Sequence, residues 1–299
     1  MPATLLDPKN DFVFKRLFAH RPELLADLIN AVRSEHPPVK ILEVLNPRID
    51  PAELTGKFIV LDVLARDPSG ALYGIEMQVR REPGWDARSA YYLARSFAHQ
   101  LRPGQGYDQL RPAIAIHLMD FELFDVPGQA HWRFGLRDRD QPGVELAPGL
   151  LQWNLIELPK LDRLLADRLR ADQRGGTGTL AAWVAYFEHW REDAVMGAIT
   201  HTPVQQARQE LEQLSGDEEA QRLAFVRERA LRDEISFVGA ARREGRKEGL
   251  EEGLEKGREA LRTVARRLLR EPGFDDAAIA RLTGLAEDEV RQLRLSAGV

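Results

Sequence analysis

Residues 58–79 constrain the fold more than any other stretch: two strand-like runs joined by a turn, with acids set into them. Phe58-Ile59-Val60-Leu61-Asp62-Val63-Leu64-Ala65 is apolar on both faces, the pattern of a strand covered on both sides. Asp62 is its one interruption. Leu72-Tyr73-Gly74-Ile75-Glu76-Met77-Gln78-Val79 instead alternates, so Gly74, Glu76, Gln78 and Arg80 share one face while Tyr73, Ile75, Met77 and Val79 share the other. The linking Asp67-Pro68-Ser69-Gly70 joins a preset φ at Pro to a Gly free to take positive φ. The spacing predicts a hairpin.

If that hairpin folds symmetrically about Ser69, Asp62 faces Glu76 across the ladder, with Cβ atoms about 4.5–5.5 Å apart. Two acids so placed in an apolar sheet repel unless one is protonated or a cation lies between them. A divalent metal resolves the conflict, and a small set of hard oxygen ligands favours Mg²⁺. Two alternatives stay open. A loop one residue longer or shorter would stagger the pair, and a hairpin with one solvated face would make Glu76 and Gln78 ordinary polar residues. The second explains Asp62 poorly.

An acid in one strand, a turn, then Glu76-Met77-Gln78 in the next resembles the PD-(D/E)XK nuclease signature. The chain as a whole resembles the Rpn family of recombination-promoting nucleases and putative transposases. The likeness is carried by Asp7-Pro8-Lys9-Asn10-Asp11-Phe12-Val13-Phe14-Lys15-Arg16-Leu17-Phe18, Leu61-Asp62-Val63, Ile75-Glu76-Met77-Gln78, Tyr107-Asp108-Gln109-Leu110-Arg111-Pro112, a Gly-repeat helix and Thr283-Gly284-Leu285. It spans nearly the full length. The resemblance implies an α/β, restriction-endonuclease-like core with a mixed sheet flanked by helices. It also implies a metal-dependent endonuclease acting on DNA, with Asp62, Glu76 and Gln78 as catalytic residues, Mg²⁺ (or Mn²⁺) as cofactor, and a role in recombination or mobile elements. In the superfamily an acid on the first helix often helps hold the metal, and here Asp11 is the matching one. A helix cap, or a pair with Lys15, explains Asp11 equally well. Gln78 departs from the superfamily's usual Lys, although Gln is usual in the Rpn-like branch. Because an amide supplies hydrogen bonds but no positive charge, either activity is weaker or the charge comes from elsewhere, with Lys57, Lys15, Arg80 and Arg88 as candidates.

The 299 residues suffice for about two domains, and the absence of cysteine excludes disulfides and thiolate metal sites. No signal pattern and no apolar run of about 18 residues is present. The chain is expected to be soluble and cytoplasmic, with no membrane partner. A net charge of -5 argues against a surface that binds nucleic acid everywhere, so any DNA contact must be local. Such a patch is expected on a helix from Trp85 to Leu101, where Arg88 and Arg95 lie two turns apart and Tyr92 borders them, with Lys15 of the first helix as a further DNA contact. A solvated basic face is the plainer alternative.

The remaining elements follow from period and punctuation. Residues 10–32 read as two helices broken near His20-Arg21-Pro22. Strands are expected at Ile41–Asn46, Pro112–Leu118, Trp132–Leu136 and Leu151–Leu158. His117, inside an apolar strand with no second His at ligand spacing, reads as a core histidine. Trp183, Tyr186, Phe187 and Trp190, at helical spacing, read as core rather than as a base-stacking platform. Gly175-Gly176-Thr177-Gly178 lacks a following Lys-Ser/Thr and marks a flexible boundary, not a phosphate loop. Three segments result: a nuclease-like core over 1–160, a helical extension over 161–235, and a C-terminal arm over 236–299.

That arm repeats glycine at 245, 249, 253 and 257, each costing a helix about 1 kcal/mol relative to Ala. Such a row permits close approach of another helix, and a homodimer through Gly245–Gly257 is the preferred expectation over a solvated linker. The last two short helices, acidic at Asp275, Asp276, Glu287, Asp288 and Glu289, suit a docking cap better than a DNA reader. Against the nuclease stands one alternative of another class, a catalytically silent oligomeric or DNA-binding module.

Overall fold

The computed structural model describes residues 5–46, 63–171 and 178–297. Two compact units emerge, Met1–Leu231 and Arg232–Val299, to compare with the three segments expected above.

The first unit opens with α1 (Asp11–His20) and α2 (Pro22–Val32). The Asn10 side chain accepts from the backbone N–H groups of Phe12 and Val13, satisfying donors that the helix leaves unpaired. Pro22 occupies the first turn of α2, where its missing N–H costs nothing. The break therefore falls where the sequence places it.

Among the described residues, six strands form one sheet in the order β1-β2-β3-β4-β6-β5. They are β1 (Glu43–Val44), β2 (Val63–Arg66), β3 (Leu72–Gln78), β4 (Ala113–Met119), β5 (His131–Phe134) and β6 (Leu151–Glu157). β3, β4 and β6 run parallel, while β2 pairs antiparallel with β3 and β5 with β6. The expected mixed sheet is present, with β1 shorter than the predicted Ile41–Asn46.

The hairpin turn is built as its residues dictate. Asp67 Oδ1 accepts from Ser69 N, Ser69 Oγ and Ala71 N at 2.9, 2.6 and 3.0 Å, and Gly70 sits at φ +89°, a conformation costly for other residues. The resulting register pairs Val63 with Ile75 and Ala65 with Tyr73. That is symmetry about Ser69, the condition for the expected Asp62–Glu76 pairing, although Asp62 itself lies outside the described residues, as does Lys57.

Alternation then sorts the central strands. Tyr73, Ile75 and Met77 of β3, with Ile114, Ile116 and Leu118 of β4, enter the main core. There they join side chains of α1, α2, α5 (Thr179–His189) and α7 (Thr202–Gly216). Trp183, Tyr186, Phe187 and Trp190 are buried in this core, as expected, and Phe18 and Trp183 lie 5.6 Å apart. Each such aromatic contributes roughly 1.5–3 kcal/mol through burial. The opposite face of the sheet is covered by α3 (Trp85–Ala98), which packs Leu93 against Ala113 and Ala115 and Trp85 near Met119 and Leu155.

α4 (Leu158–Ala171) follows β6 directly, and α6 (Asp193–Ala198) precedes α7. α8 (Glu218–Leu268) is one helix of 51 residues that carries Gly245, Gly249, Gly253 and Gly257. A Cβ added at any of these four would meet nothing within 4 Å. In the second unit, α9 (Asp276–Thr283) and α10 (Glu287–Ala297) cap the end of α8, where Ala265 and Leu269 share a small core with Ile279, Leu285, Val290 and Leu293. Glu289 accepts from Arg258 and Arg262 at 2.8 and 2.7 Å. No helix among the described residues is long and apolar enough to cross a membrane.

Candidate active site

Glu76 and Gln78 project from the α3-facing side of β3, at the carboxyl end of a strand in the parallel part of the sheet. Open α/β sheets commonly bind ligands outside such strand ends. The two side chains touch, Gln78 Nε2 donating to Glu76 Oε1. Arg88, from the first turns of α3, donates to Glu76 Oε1 at 3.4 Å, to Gln78 Oε1 at 3.5 Å and to Glu82 Oε2 at 2.9 Å. One guanidinium thus spans both members of the motif, a geometry that suits its planar fork.

Asp11 lines the same cleft, a space of about 60 Å³ shared with Glu76, Gln78, Arg88 and Arg227. Asn10 is the N-cap of α1, and Asp11 Oδ1 also accepts from the Phe12 N–H at 2.8 Å. Its carboxylate accepts from Arg227 Nε at 2.7 Å, with Arg227 Nη2 at 2.6 Å from Oδ2. Arg227 belongs to α8 and lies 216 positions away in the chain, which no local pattern could connect to Asp11.

His117 is buried, 4% exposed, as the reading of a core histidine expects, and it also lies beside the motif. The parallel register places it beside Glu76, with Nδ1 3.0 Å from Glu76 Oε2 and Nε2 2.8 Å from Ser89 Oγ. The missed signal was register: alternation puts His117 on the α3-facing side of β4, but nothing in the sequence says which residue of β3 it meets.

Lys15, expected as a charge donor and DNA contact, is 2% exposed within α1. Arg80 lines the cleft and donates to Glu82 at 3.1 Å. Tyr92 is half-buried beside Gly74, Glu76 and Ser89, and Arg95 is exposed two turns along α3 from Arg88.

The donors in the cleft are hard oxygens, the kind that suits a hard divalent cation such as Mg²⁺. Arginines neutralise the carboxylates of Glu76 and Asp11, as charges drawn out of water require. Among the described residues no three acids or histidines form a metal-holding group. A cation would need Asp62, or water and substrate oxygens, to complete its shell.

A mixed sheet covered by helices on both faces, with Glu-x-Gln at the end of a central strand, defines a PD-(D/E)XK nuclease-like protein. The model of the family described as PD-(D/E)XK nuclease family transposase matches residues 8–241, and the chain belongs to that family. No curated protein and no solved structure matches it.

Proposed function

We propose that this protein is a metal-dependent DNA endonuclease that hydrolyses phosphodiester bonds during recombination or movement of mobile elements. The observation that carries this is the convergence of Glu76, Gln78 and Asp11 on one small cleft with Arg88 at its wall. Asp62, Glu76 and Asp11 would hold Mg²⁺ or Mn²⁺. When bound, the cation supplies an activated water and offsets charge on the scissile phosphate. Gln78 orients the attacking water by hydrogen bonding. Arg88 provides the positive charge that a Lys at position 78 would have brought, with two donors for non-bridging phosphate oxygens. Arg95 and Tyr92 continue the contact along the backbone of the bound strand.

Incubation of purified protein with supercoiled plasmid and Mg²⁺ or Mn²⁺, beside Asp62→Ala and Glu76→Ala, tests this. Nicked or linear product is expected from the unaltered protein alone. Cleavage that survives both substitutions, or none from any sample, would overturn it, and DNA binding without cleavage favours the silent module.

Arg88→Ala is expected to lower kcat about 10²-fold with a smaller rise in KM, because its charge matters most as charge develops on the phosphate. Arg88→Lys should recover part of that loss. Steady-state cleavage of a short labelled duplex separates the two constants.

Self-association through Gly245–Gly257 belongs to the same proposal, supported by the open space around all four glycines. Gly249→Arg with Gly253→Arg should convert a dimer to a monomer in sedimentation velocity without loss of helical circular dichroism. An unchanged sedimentation coefficient would count against this interface.

A further inference from the structure

We propose that His117 is a positioning residue for Glu76, acting with Ser89 as a two-residue support behind the carboxylate. This rests on the metal-binding role proposed for Glu76.

His117 and Ser89 are both buried, at 4% and 6% exposure. Trp85 closes the space beside the imidazole, its ring centroid 4.9 Å away and nearly perpendicular. The ring is therefore held, and its two nitrogens face different groups. Nε2 lies 2.8 Å from Ser89 Oγ. A serine hydroxyl that donates to Nε2 leaves the proton on Nδ1, the nitrogen 3.0 Å from Glu76 Oε2. That approach is too bent to count as a formed hydrogen bond, and Nδ1 has no other partner among the described residues. A buried donor with a single acceptor in reach restrains that acceptor, since turning the carboxylate away leaves the N–H unsatisfied.

The two oxygens of Glu76 are thereby distinguished. Gln78 and Arg88 address Oε1, whereas His117 addresses Oε2 from the α3 side. His117 is not among the residues that line the cleft of Glu76, Gln78 and Asp11, so its proposed effect there passes through Glu76. An outer residue of this kind typically changes metal affinity by about 10- to 100-fold when removed.

A plain core role predicts something different, because shape alone would then matter. The test uses the full chain and Mn²⁺ alone as probe, by isothermal titration calorimetry. His117→Leu should weaken Mn²⁺ binding about 10- to 100-fold. His117→Asn, whose amide nitrogen takes the place of Nδ1, should restore affinity to near the unaltered value, whereas His117→Gln, whose amide sits at the place of Nε2, should not. Ser89→Ala, which leaves the imidazole in place, should weaken binding in the same direction and serves if the Leu variant fails to fold. Equal affinity in the Leu variant, or equal rescue by Asn and Gln, overturns the positioning role while leaving Glu76 as a ligand. If Mn²⁺ binding is absent, or is untouched by Glu76→Gln, the metal site itself is wrong and this proposal falls with it.

Discussion

Glu76→Gln is expected to reduce metal-dependent DNA cleavage by about 10²–10³-fold or more while leaving the protein folded. The substitution preserves shape and one hydrogen-bonding oxygen but removes the charge. Folding should tolerate this. Glu76 is only 18% exposed, and the arginine it loses, Arg88, keeps Glu82 at 2.9 Å. Gln78 can still donate to an amide oxygen. Catalysis should not tolerate it, because a neutral amide cannot offset a divalent cation or hold it against water. The check is single-turnover cleavage over a series of Mg²⁺ concentrations, beside circular dichroism of each sample. A true ligand shows a loss that excess metal partly recovers. If cleavage proceeds at the unaltered rate with Gln at 76, the site lies elsewhere on the molecule.

Much of this site was readable because its parts are local. Turn chemistry at Asp67–Gly70 set the hairpin, and alternation along 72–79 put Glu76 and Gln78 on one face, where the structure also has them. Arg88 was within reach of inference because α3 begins seven residues after the strand ends. What escaped was non-local. His117 meets Glu76 only through a parallel pairing, whose register depends on how the crossover packs rather than on any turn. Arg227 meets Asp11 across 216 positions. The burial of Lys15 was hidden for a related reason: a lysine at helical spacing from an acid reads as surface, and its burial depends on elements packed around α1. A mixed sheet flanked by helices followed from pattern and resemblance, whereas the strand order and the contacts between distant elements did not.

The largest effect on stability is expected at Glu157, far from the cleft in sequence logic and easily read as a strand-end polar residue. It is fully buried, the last residue of β6. Its Oε1 accepts from the N–H groups of Leu123 and Phe124 at 2.5 and 2.8 Å, and its Oε2 from Trp132 Nε1 at 2.9 Å. Lys160 completes the set, with Nζ 2.7 Å from Oε2 and donating to the Phe124 carbonyl at 2.6 Å. One carboxylate thus ties the chain after β4 to β5, β6 and the first turn of α4. Glu157→Leu would take from the Lys160 ammonium its nearest carboxylate, leaving that of Glu122 at 3.9 Å, and would leave three N–H donors unmet, a loss of about 3–5 kcal/mol. Against a typical total of about 5–15 kcal/mol, that brings the first unit near its limit. Glu157→Leu with Lys160→Met should recover part of the loss, because no unpaired charge then remains, but not all of it, because the backbone donors stay unmet. Urea unfolding should show a lower midpoint at unchanged slope. Acid adds a second check. Burial alone would push the Glu157 carboxyl up, but Lys160, Trp132 and the two backbone donors outweigh it and hold the group below its ordinary value of 4.5. A carboxyl depressed on folding stabilises above its unfolded pKa and loses that contribution as pH falls through its folded one. The gap between the unaltered protein and Glu157→Leu should therefore be full at neutral pH and narrow only below 4.5. A gap independent of pH would mean that Glu157 contributes by packing rather than by charge.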